Sequence, residues 1–425
     1  MGWLSLTPAQ LRIGLYIKLD HSWMEHPFIR NTFTVSSPSE IAIIQKRLLT
    51  RLFYDPDRSH ADALVALAKP VSLVSAEPDR QFAQDVEDDE NAMLKEKAVH
   101  IQHVVDHRKA LDEADQNYAD TAKRCSVMMA MATAGEAEGV QVATQMVTAM
   151  MDLLEQESVA LSLVQSKNLD DPGQELAAQA MNVSALASLT GKMMNLNPEQ
   201  LQHVALGALF HNLGQHRVPL AFRAKGAHLS PVETKLMRMY PQHGKEILEA
   251  IPGVPSKVVA IVYQHREYLD GSGSPKGSLN GDIAQLARLV GTVVEYNLLT
   301  SDRGVAQRLS PTQALSHLYV KMKARLGSDV IEPFIATMTI YPPGSFVEMS
   351  DESMGLVVKT NAQERLRPIV RLYDPNSLHA EAAVVDLARE RSLTIRKSLE
   401  LKSVPQNVRE MLSSSQVIGY ALAVT

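Results

Sequence analysis

Apolar residues recur at two different spacings along the chain, and the change from one to the other separates regions of different structure. In the first ~70 residues, short β-favouring runs at residues 15–17, 33–35 and 52–54 stand between turn residues, with one helical stretch at about residues 39–49. This pattern predicts a small α/β domain.

A second region, from about residue 91 to 166, has almost no proline and carries apolar residues at helical spacing. The pattern predicts two or more long helices and includes Met146, Met150, Leu153, Leu154 and Leu161. Methionine at helical spacing usually fills a core. The alternative is a partner surface, including the interface of a homodimer.

Helix boundary signals become clear after residue 196. Asn197 suits an N-cap, Pro198 suits the first helical position, and Gln200 completes a capping box. Gly214 suits a C-terminal stop. We therefore expect His211 and Asn212 to end a buried helix.

The pattern changes again towards the C-terminus. A second capping box at residues 230–233 opens a helix that Pro241 must kink or end. After residue 340, short β-like runs occur at residues 355–358, 368–372 and 392–395, between turn residues. These runs predict a small β-rich appendage.

An acidic, polar stretch at residues 76–90 interrupts the hydrophobic pattern and predicts a solvated linker or flexible loop with a domain boundary. The fold class is therefore mainly α. The predicted domains are a small N-terminal α/β domain (1–75), an acidic linker and helical connector (76–165), a helical domain (166–325), and a C-terminal helix with a small β-rich appendage (326–425).

Composition narrows the functional classes. The 425 residues are 45% hydrophobic and 21% charged, with a net charge of -6, so no global field favours DNA, RNA or an anionic membrane. A single cysteine, Cys125, excludes an intramolecular disulfide and a thiolate zinc site, and is typical of the cytoplasm. No segment approaches the ~20 apolar residues of a membrane span, so we expect no membrane insertion.

Several short segments together carry a family resemblance. They are residues 211–215 (HNLGQ), 229–230 (LS), 265–275 with DGSGSP at 270–275, and 300–303 (TSDR), with Pro219, Lys225, Pro241 and Gly244 between them. In this order and spacing, residues 173–325 resemble the HD-GYP family, whose members hydrolyse the bacterial second messenger cyclic di-GMP. Residues 11–16, Trp23 and residues 26–28 are similar to the small domain that often precedes HD-GYP domains. The resemblance implies an HD-type helical bundle.

The same resemblance implies a metal centre whose ligand positions are altered in this chain. Family members need two or three metal ions, held by His and Asp side chains, to generate hydroxide and neutralise the phosphodiester. An amide is a poor bridge between cations, a guanidinium repels them and an alkyl group cannot ligate. Matched position by position, the ligand positions hold Gln179, Asn212, Tyr240, Arg266 and Val294, and the family's lysine is Gln215.

Residual metal candidates are His211 and His265, with Glu175 one helical turn before Gln179. Two imidazoles bind a divalent metal weakly, and the alternative is a pair of hydrogen-bonded core histidines. His216 and His243 lie near by in sequence but add no carboxylate. We therefore expect no cofactor; iron or manganese belongs to the alternative reading as an active enzyme.

The glycine-rich segment at residues 270–277 keeps much of the family pattern, although the family's tyrosine is Ser274. The segment could bind a nucleotide or a protein partner, with Lys276 and Arg266 as a basic patch. The alternatives are a tight turn of the scaffold and ordinary solvated cations. The candidate binding residues are Asp270, Gly271, Gly273, Ser274, Pro275, Lys276, Arg288 and Arg303.

These observations favour a non-hydrolysing HD-GYP-like signalling or adaptor protein. It would act by binding a protein partner, such as a diguanylate cyclase domain, or a nucleotide such as cyclic di-GMP. The alternatives are an active metal-dependent cyclic di-GMP phosphodiesterase with an atypical site, and a purely structural dimeric module.

Overall fold

A computed structural model describes residues 3–21, 25–28, 31–47, 51–68, 80–155, 159–164, 172–223, 228–301, 308–361, 363–375, 384–391, 393–413 and 419–424. The chain divides into two compact units. One comprises Met1–Lys109 with Asp374–Ala383, and the other comprises Ala110–Tyr373 with Val384–Thr425. None of the described helices is long and apolar enough to cross a membrane.

The first unit contains a four-stranded antiparallel sheet in the order β1-β4-β2-β3, with two helices. Its core is aliphatic, with Leu15, Ile17, Ile43 and Ile44 fully buried. The sequence therefore predicted this small α/β domain correctly. Its elements are β1 (Leu4–Leu6), β2 (Tyr16–Leu19), β3 (Thr32–Thr34), α1 (Pro38–Lys46), β4 (Leu52–Tyr54) and α2 (Ala61–Leu67).

A long helix, α3 (Arg80–Thr133), begins within the acidic stretch. The prediction of a flexible loop is therefore wrong for residues 80–90, which are helical. Most of their side chains are exposed, but Glu90 is buried and binds Lys46 at 2.7 Å and Arg47 at 2.7 Å. Residues 76–79 lie outside the described part of the chain.

The second unit is an HD-type bundle in which α5 and α6 pack against α10 and α11. Its core includes Met128 and Met129, and the methionines singled out from the sequence, Met146 and Met150, are partly buried and pack against that core. The helices are α4 (Ala137–Leu154), α5 (Pro172–Met193), α6 (Pro198–Phe210), α7 (Leu220–Arg223), α8 (Pro231–Met237), α9 (Tyr240–Glu249), α10 (Ser256–Gln264), α11 (Gln285–Thr300), α12 (Pro311–His317), α13 (Lys323–Leu326) and α14 (Ser328–Met338).

The capping signals locate two of these helices correctly. Asn197 accepts a hydrogen bond from the backbone of Gln200 at the start of α6, and Ser230 does the same for Glu233 at the start of α8. Pro241 lies in the first turn of α9, after α8 has ended at Met237.

Gly214 has a different role from the one predicted. Helix α6 ends at Phe210, and Gly214 lies in the following 3-10 turn, Leu213–Arg217. A Cβ at Gly214 would overlap the backbone carbonyl of Tyr240. The helix ends about where the sequence predicted, with His211 as its C-cap, but glycine is required at position 214 because the turn packs directly on the backbone of α9.

A seven-stranded sheet completes the second unit among the described residues, in the order β10-β6-β7-β5-β11, with β8 and β9 branching from β7. Leu161, predicted in a helix, lies instead in β5, which precedes the bundle in sequence. The run predicted at residues 392–395 becomes a strand only from Ile395. The strands are β5 (Val159–Val164), β6 (Phe346–Met349), β7 (Met354–Lys359), β8 (Ile369–Leu372), β9 (Val384–Asp386), β10 (Ile395–Ser398) and β11 (Gly419–Val424), with helix α15 (Gln406–Leu412) before β11.

Candidate functional site

A cavity of about 390 Å³ opens where α5, α6, α9 and α11 converge in the second unit. The residues that line it come from distant parts of the sequence. The predicted site residues on its wall are Glu175, Gln179, His211, Gln215, Tyr240, Arg266, Ser274 and Val294. The altered ligand positions therefore share one site, with Asn212 fully buried next to His211 in sequence.

Two buried imidazoles form the centre of this site. The rings of His211 and His265 meet edge to face, with centroids 5.4 Å apart. Nδ1 of His211 lies 2.7 Å from the carbonyl oxygen of Ala208, and Nδ1 of His265 lies 2.8 Å from that of Val262. Because a carbonyl oxygen only accepts, Nδ1 carries the proton in both rings, which leaves Nε2 as the acceptor nitrogen.

In His265, that acceptor nitrogen forms a hydrogen bond with Tyr240. Its hydroxyl donates to Nε2 at 2.8 Å, and both side chains are buried. Burial raises the pKa of Tyr240 to about 12, so the phenol keeps its proton. The nitrogen with which His265 would bind a metal therefore already accepts a hydrogen bond.

Both imidazoles are held neutral. Burial lowers the pKa of His211 to about 4, and the charge of Arg266 adds to this effect. Burial, His211 and Arg266 together hold the pKa of His265 well below its usual range. The pair matches the hydrogen-bonded core histidines that the sequence offered as an alternative to metal ligands.

Asn212 uses its amide nitrogen in a hydrogen bond to the backbone of α5. Nδ2 donates to the carbonyl oxygen of Leu176 at 2.8 Å, and Oδ1 is buried without a partner among the described residues. A neutral amide oxygen cannot balance two cations. The residual carboxylate candidate, Glu175, interacts with Arg223.

These side chains do not fit a two-metal or three-metal centre. In the described part of the chain, no three His, Cys, Asp or Glu side chains are grouped so that they could hold a metal ion. His243 instead lies 3.7 Å from Glu246, and neither it nor His216 lines the cavity. No catalytic step through a metal follows from this geometry.

Arg266 enters the cavity from the end of α10. Its Nη1 lies 2.6 Å from Oε1 of Glu295, and the hydroxyl of Tyr268 donates to the same oxygen. Burial alone would lower the pKa of Arg266, but the Glu295 carboxylate raises it overall. The guanidinium is therefore a permanent positive charge in the cavity wall.

Hydrogen bonds from its own backbone hold the glycine-rich loop in its conformation. Glu267, 1% exposed, accepts hydrogen bonds from the backbone of Lys276 at 2.7 Å, Gly277 at 3.2 Å and Ser278 at 2.9 Å. Gly271 has a φ of +75°. These contacts support the interpretation of the glycines as a tight turn of the scaffold.

The remaining residues of the loop have different surroundings. Asp270 accepts from Ser272 and lies 3.3 Å from Arg325, Pro275 follows Ser274 in the loop, and Lys276 is exposed. The predicted basic patch of Lys276 with Arg266 is wrong in its second member, because Arg266 is bonded to Glu295 inside the cavity.

Arg288 does not line the cavity. It forms two hydrogen bonds with Asp329, at 2.6 Å and 2.8 Å, and a third with the carbonyl oxygen of Leu326. It therefore joins α11 to the start of α14. Arg303 and Lys225 lie outside the described residues.

Several cavity residues escaped the sequence interpretation. Arg223 and Arg238 line the cavity from α7 and the end of α8, and Phe222 adds an aromatic surface. Glu295, the partner of Arg266, was also missed, although an acidic residue beside Val294 is a natural counter-ion for an arginine that replaces a ligand.

Comparison with domain families gives three consecutive matches. An HD domain matches residues 149–330, a domain of unknown function (DUF3391) matches residues 5–143, and a KOW domain associated with HD domains matches residues 346–407. The first match covers the small sheet, all of α3 and the start of α4, and so extends past the boundary between the two compact units at Lys109. The second covers most of the bundle and the third most of the C-terminal strands.

Individual relatives cover the chain to different extents. A protein named cyclic di-GMP phosphodiesterase from Pseudomonas aeruginosa is 24% identical over 394 residues, which is 90% of this chain and 88% of that protein. A cyclic di-GMP phosphodiesterase response regulator from Xanthomonas campestris is 25% identical and covers 47% of this chain and 53% of its own. A solved structure of an HDG"Y"P protein from Bdellovibrio bacteriovorus is 19% identical, with a TM-score of 0.39, over 78% of this chain and 98% of its own.

Proposed function

The chain is an HD-domain protein homologous to the HD-GYP cyclic di-GMP phosphodiesterases, and from that premise we propose that it is a non-hydrolysing signalling or adaptor protein. It acts in cyclic di-GMP pathways by binding a protein partner or a nucleotide. The observation that carries the proposal is the hydrogen bond from Tyr240 to Nε2 of His265. This bond engages the metal-binding nitrogen of one of the two histidines that remain at the ligand positions.

The chemistry of hydrolysis supports the same proposal. Phosphodiester cleavage in a two-metal site needs a metal-activated hydroxide and positive charge on both the attacking and the leaving oxygen. Gln179, Val294 and Asn212 supply no charge at the ligand positions, and Gln215 supplies none where the family has lysine. Glu175, a carboxylate of the lining, interacts with Arg223, and the low pKa of His211 makes its imidazole a weak base.

The metal content of the purified protein tests the proposal directly. Elemental analysis of the purified full chain should find well below one equivalent of iron or manganese. Asn212→Asp, which restores one carboxylate, should leave the metal content unchanged, because a single ligand cannot assemble a cluster that acts as a unit. Two or more equivalents of transition metal in the unaltered protein would contradict the proposal.

Protein binding is the second route by which the chain would act, and the loop at residues 270–277 is its candidate surface. Ser274 lines the cavity and Lys276 is exposed, so the loop presents both to an approaching partner. A pull-down from the source cell should lose partners with the double variant Ser274→Glu, Lys276→Glu, compared with Arg365→Gln as a remote exposed control. Equal recovery of the same partners by all three proteins would exclude this loop as the interface.

A further inference from the structure

The cavity that lacks a metal cluster still has an excess of positive charge. Among the described residues, three arginines line it, Arg223, Arg238 and Arg266, together with one carboxylate, Glu175. Glu175 interacts electrostatically with Arg223. Arg266 pairs with Glu295 through Nη1, and Arg238 adds a further positive charge to the lining.

Arg266 also keeps hydrogen-bonding capacity. A guanidinium has five N–H groups, and those on Nε and Nη2 of Arg266 have no acceptor among the described residues. The side chain stands at a position that the family gives to a metal ligand, and it lines the wall of the same cavity. A planar guanidinium in this position can bind a phosphate oxygen directly, without an intervening cation.

The rest of the lining selects the kind of anion. Phe222, Leu229 and Met237 provide an apolar wall, and Leu220, 51% exposed, stands at the rim. Gln179 and Gln215 add neutral donors and acceptors. This combination suits a ligand with a flat ring and a phosphate group better than a bare inorganic anion.

We propose that Arg266 takes the electrostatic place of the metal ions, so that the cavity binds a phosphate-bearing nucleotide without any metal. The inference rests on the proposed absence of a metal centre but concerns binding, not hydrolysis. Glu295 accepts a hydrogen bond from Nη1 and partly neutralises the guanidinium, so the ion pair limits the strength of the anion site.

The test is titration calorimetry of the full chain in excess EDTA, with cyclic di-GMP, GMP and inorganic phosphate as probes. The unaltered protein should bind at least one nucleotide more tightly than inorganic phosphate. Arg266→Gln should weaken that binding by about 10- to 100-fold, the range expected for a lost charged hydrogen bond. Arg365→Gln, an exposed change away from the cavity, should leave it unchanged.

Two further variants separate binding from folding. Arg266→Gln with Glu295→Gln removes both charges, so no buried carboxylate is left unpaired; it should fold, by circular dichroism, and still bind weakly. Glu295→Gln alone should bind as well as the unaltered chain or better, because the guanidinium loses its competitor. If Glu295→Gln weakens binding as much as Arg266→Gln does, Arg266 only maintains the structure and the inference fails.

Two other results would also overturn it. One is nucleotide binding that EDTA abolishes and Mn²⁺ restores. The other is the absence of binding to every probe at millimolar concentration. Chromatography of the same samples records turnover separately, so hydrolysis would contradict the proposed function, whereas failure to bind without turnover would contradict this inference alone.

Discussion

Tyr240 and His265 form the contact on which the site depends, because each side chain is buried and the phenol is the donor to Nε2. In a metal centre that nitrogen would have to be free. Here the replaced ligand has become the hydrogen-bond partner of a ligand that remains. The substitution therefore satisfies a buried polar atom that would otherwise be left without a partner.

Removing the phenol oxygen should destabilise the protein. Tyr240→Phe leaves Nε2 of His265 buried and unsatisfied, so we expect the free energy of unfolding in urea to fall by about 1–3 kcal/mol. Tyr263→Phe is the matched control, since Tyr263 contacts Lys245 through its ring and a phenylalanine keeps that contact. Equal stability of Tyr240→Phe and Tyr263→Phe would show that the hydrogen bond to His265 contributes nothing.

The neutral state of His211 predicts a pH dependence of stability. Its pKa is about 4 in the folded protein, against about 6.5 in an unfolded chain, so the unfolded state binds more protons between these values. The contribution is fully present above pH 6.5 and is lost as the pH falls towards 4. Between pH 7 and pH 5 the loss from this residue should be about 2 kcal/mol.

His211→Gln isolates this contribution, because His26 also has a pKa near 4 and remains in both proteins. Urea unfolding at pH 7 and pH 5 should show a smaller loss of stability in His211→Gln than in the unaltered chain. The same loss in both would mean that His211 is already protonated, or exposed, in the folded state.

The sequence identified part of the cavity wall because the family spacing fixed Gln179, Tyr240 and Val294, and it placed Arg266 at a ligand position as well. It could not predict that Arg266 pairs with Glu295, because this ion pair depends on how α10 and α11 pack. Arg288 was misplaced for the same reason: its partner Asp329 lies on another helix.

Among the elements, the 3-10 turn after α6 and the start of α9 position His211 and Tyr240 relative to each other. Gly214 allows this packing, since a Cβ there would overlap the carbonyl of Tyr240. Gly214→Ala should therefore push α9 away and destabilise the protein by about 3 kcal/mol or more.

Gly281→Ala is the control for Gly214→Ala, because a Cβ at Gly281 would meet nothing within 4 Å. Thermal unfolding followed by circular dichroism should show a large decrease in melting temperature for Gly214→Ala and almost none for Gly281→Ala. A melting temperature for Gly214→Ala close to that of the unaltered chain would mean that the turn and α9 are not in contact.

Elements with a local sequence signal were predicted, and an element that depends on long-range pairing was not. Capping boxes located α6 and α8 because a cap is a contact between neighbours in sequence. Strand β5 was taken for helix because its partner β11 lies at the other end of the unit, with Leu161 opposite Leu422. Such pairing leaves no local signal in a short apolar run.

At the scale of the whole molecule, the sheet and the bundle of the second unit form one structure. Tyr420 on β11 lies 2.9 Å, between hydroxyl oxygens, from Tyr296 on α11, and its backbone N–H donates to Asn182 on α5 at 2.9 Å. Asn182 also accepts from the hydroxyl of Tyr118 on α3. These contacts join the sheet to the bundle that contains the cavity, and a binding site needs such a supporting frame.

In the proposed function, this frame binds its ligand without cleaving it. The most direct test is incubation of the full chain, loaded anaerobically with Fe²⁺ or Mn²⁺, with cyclic di-GMP, with chromatography of the products. We expect no linear dinucleotide or GMP above the level produced by a His211→Ala variant treated in the same way. Turnover by the unaltered chain that disappears in His211→Ala would contradict the account.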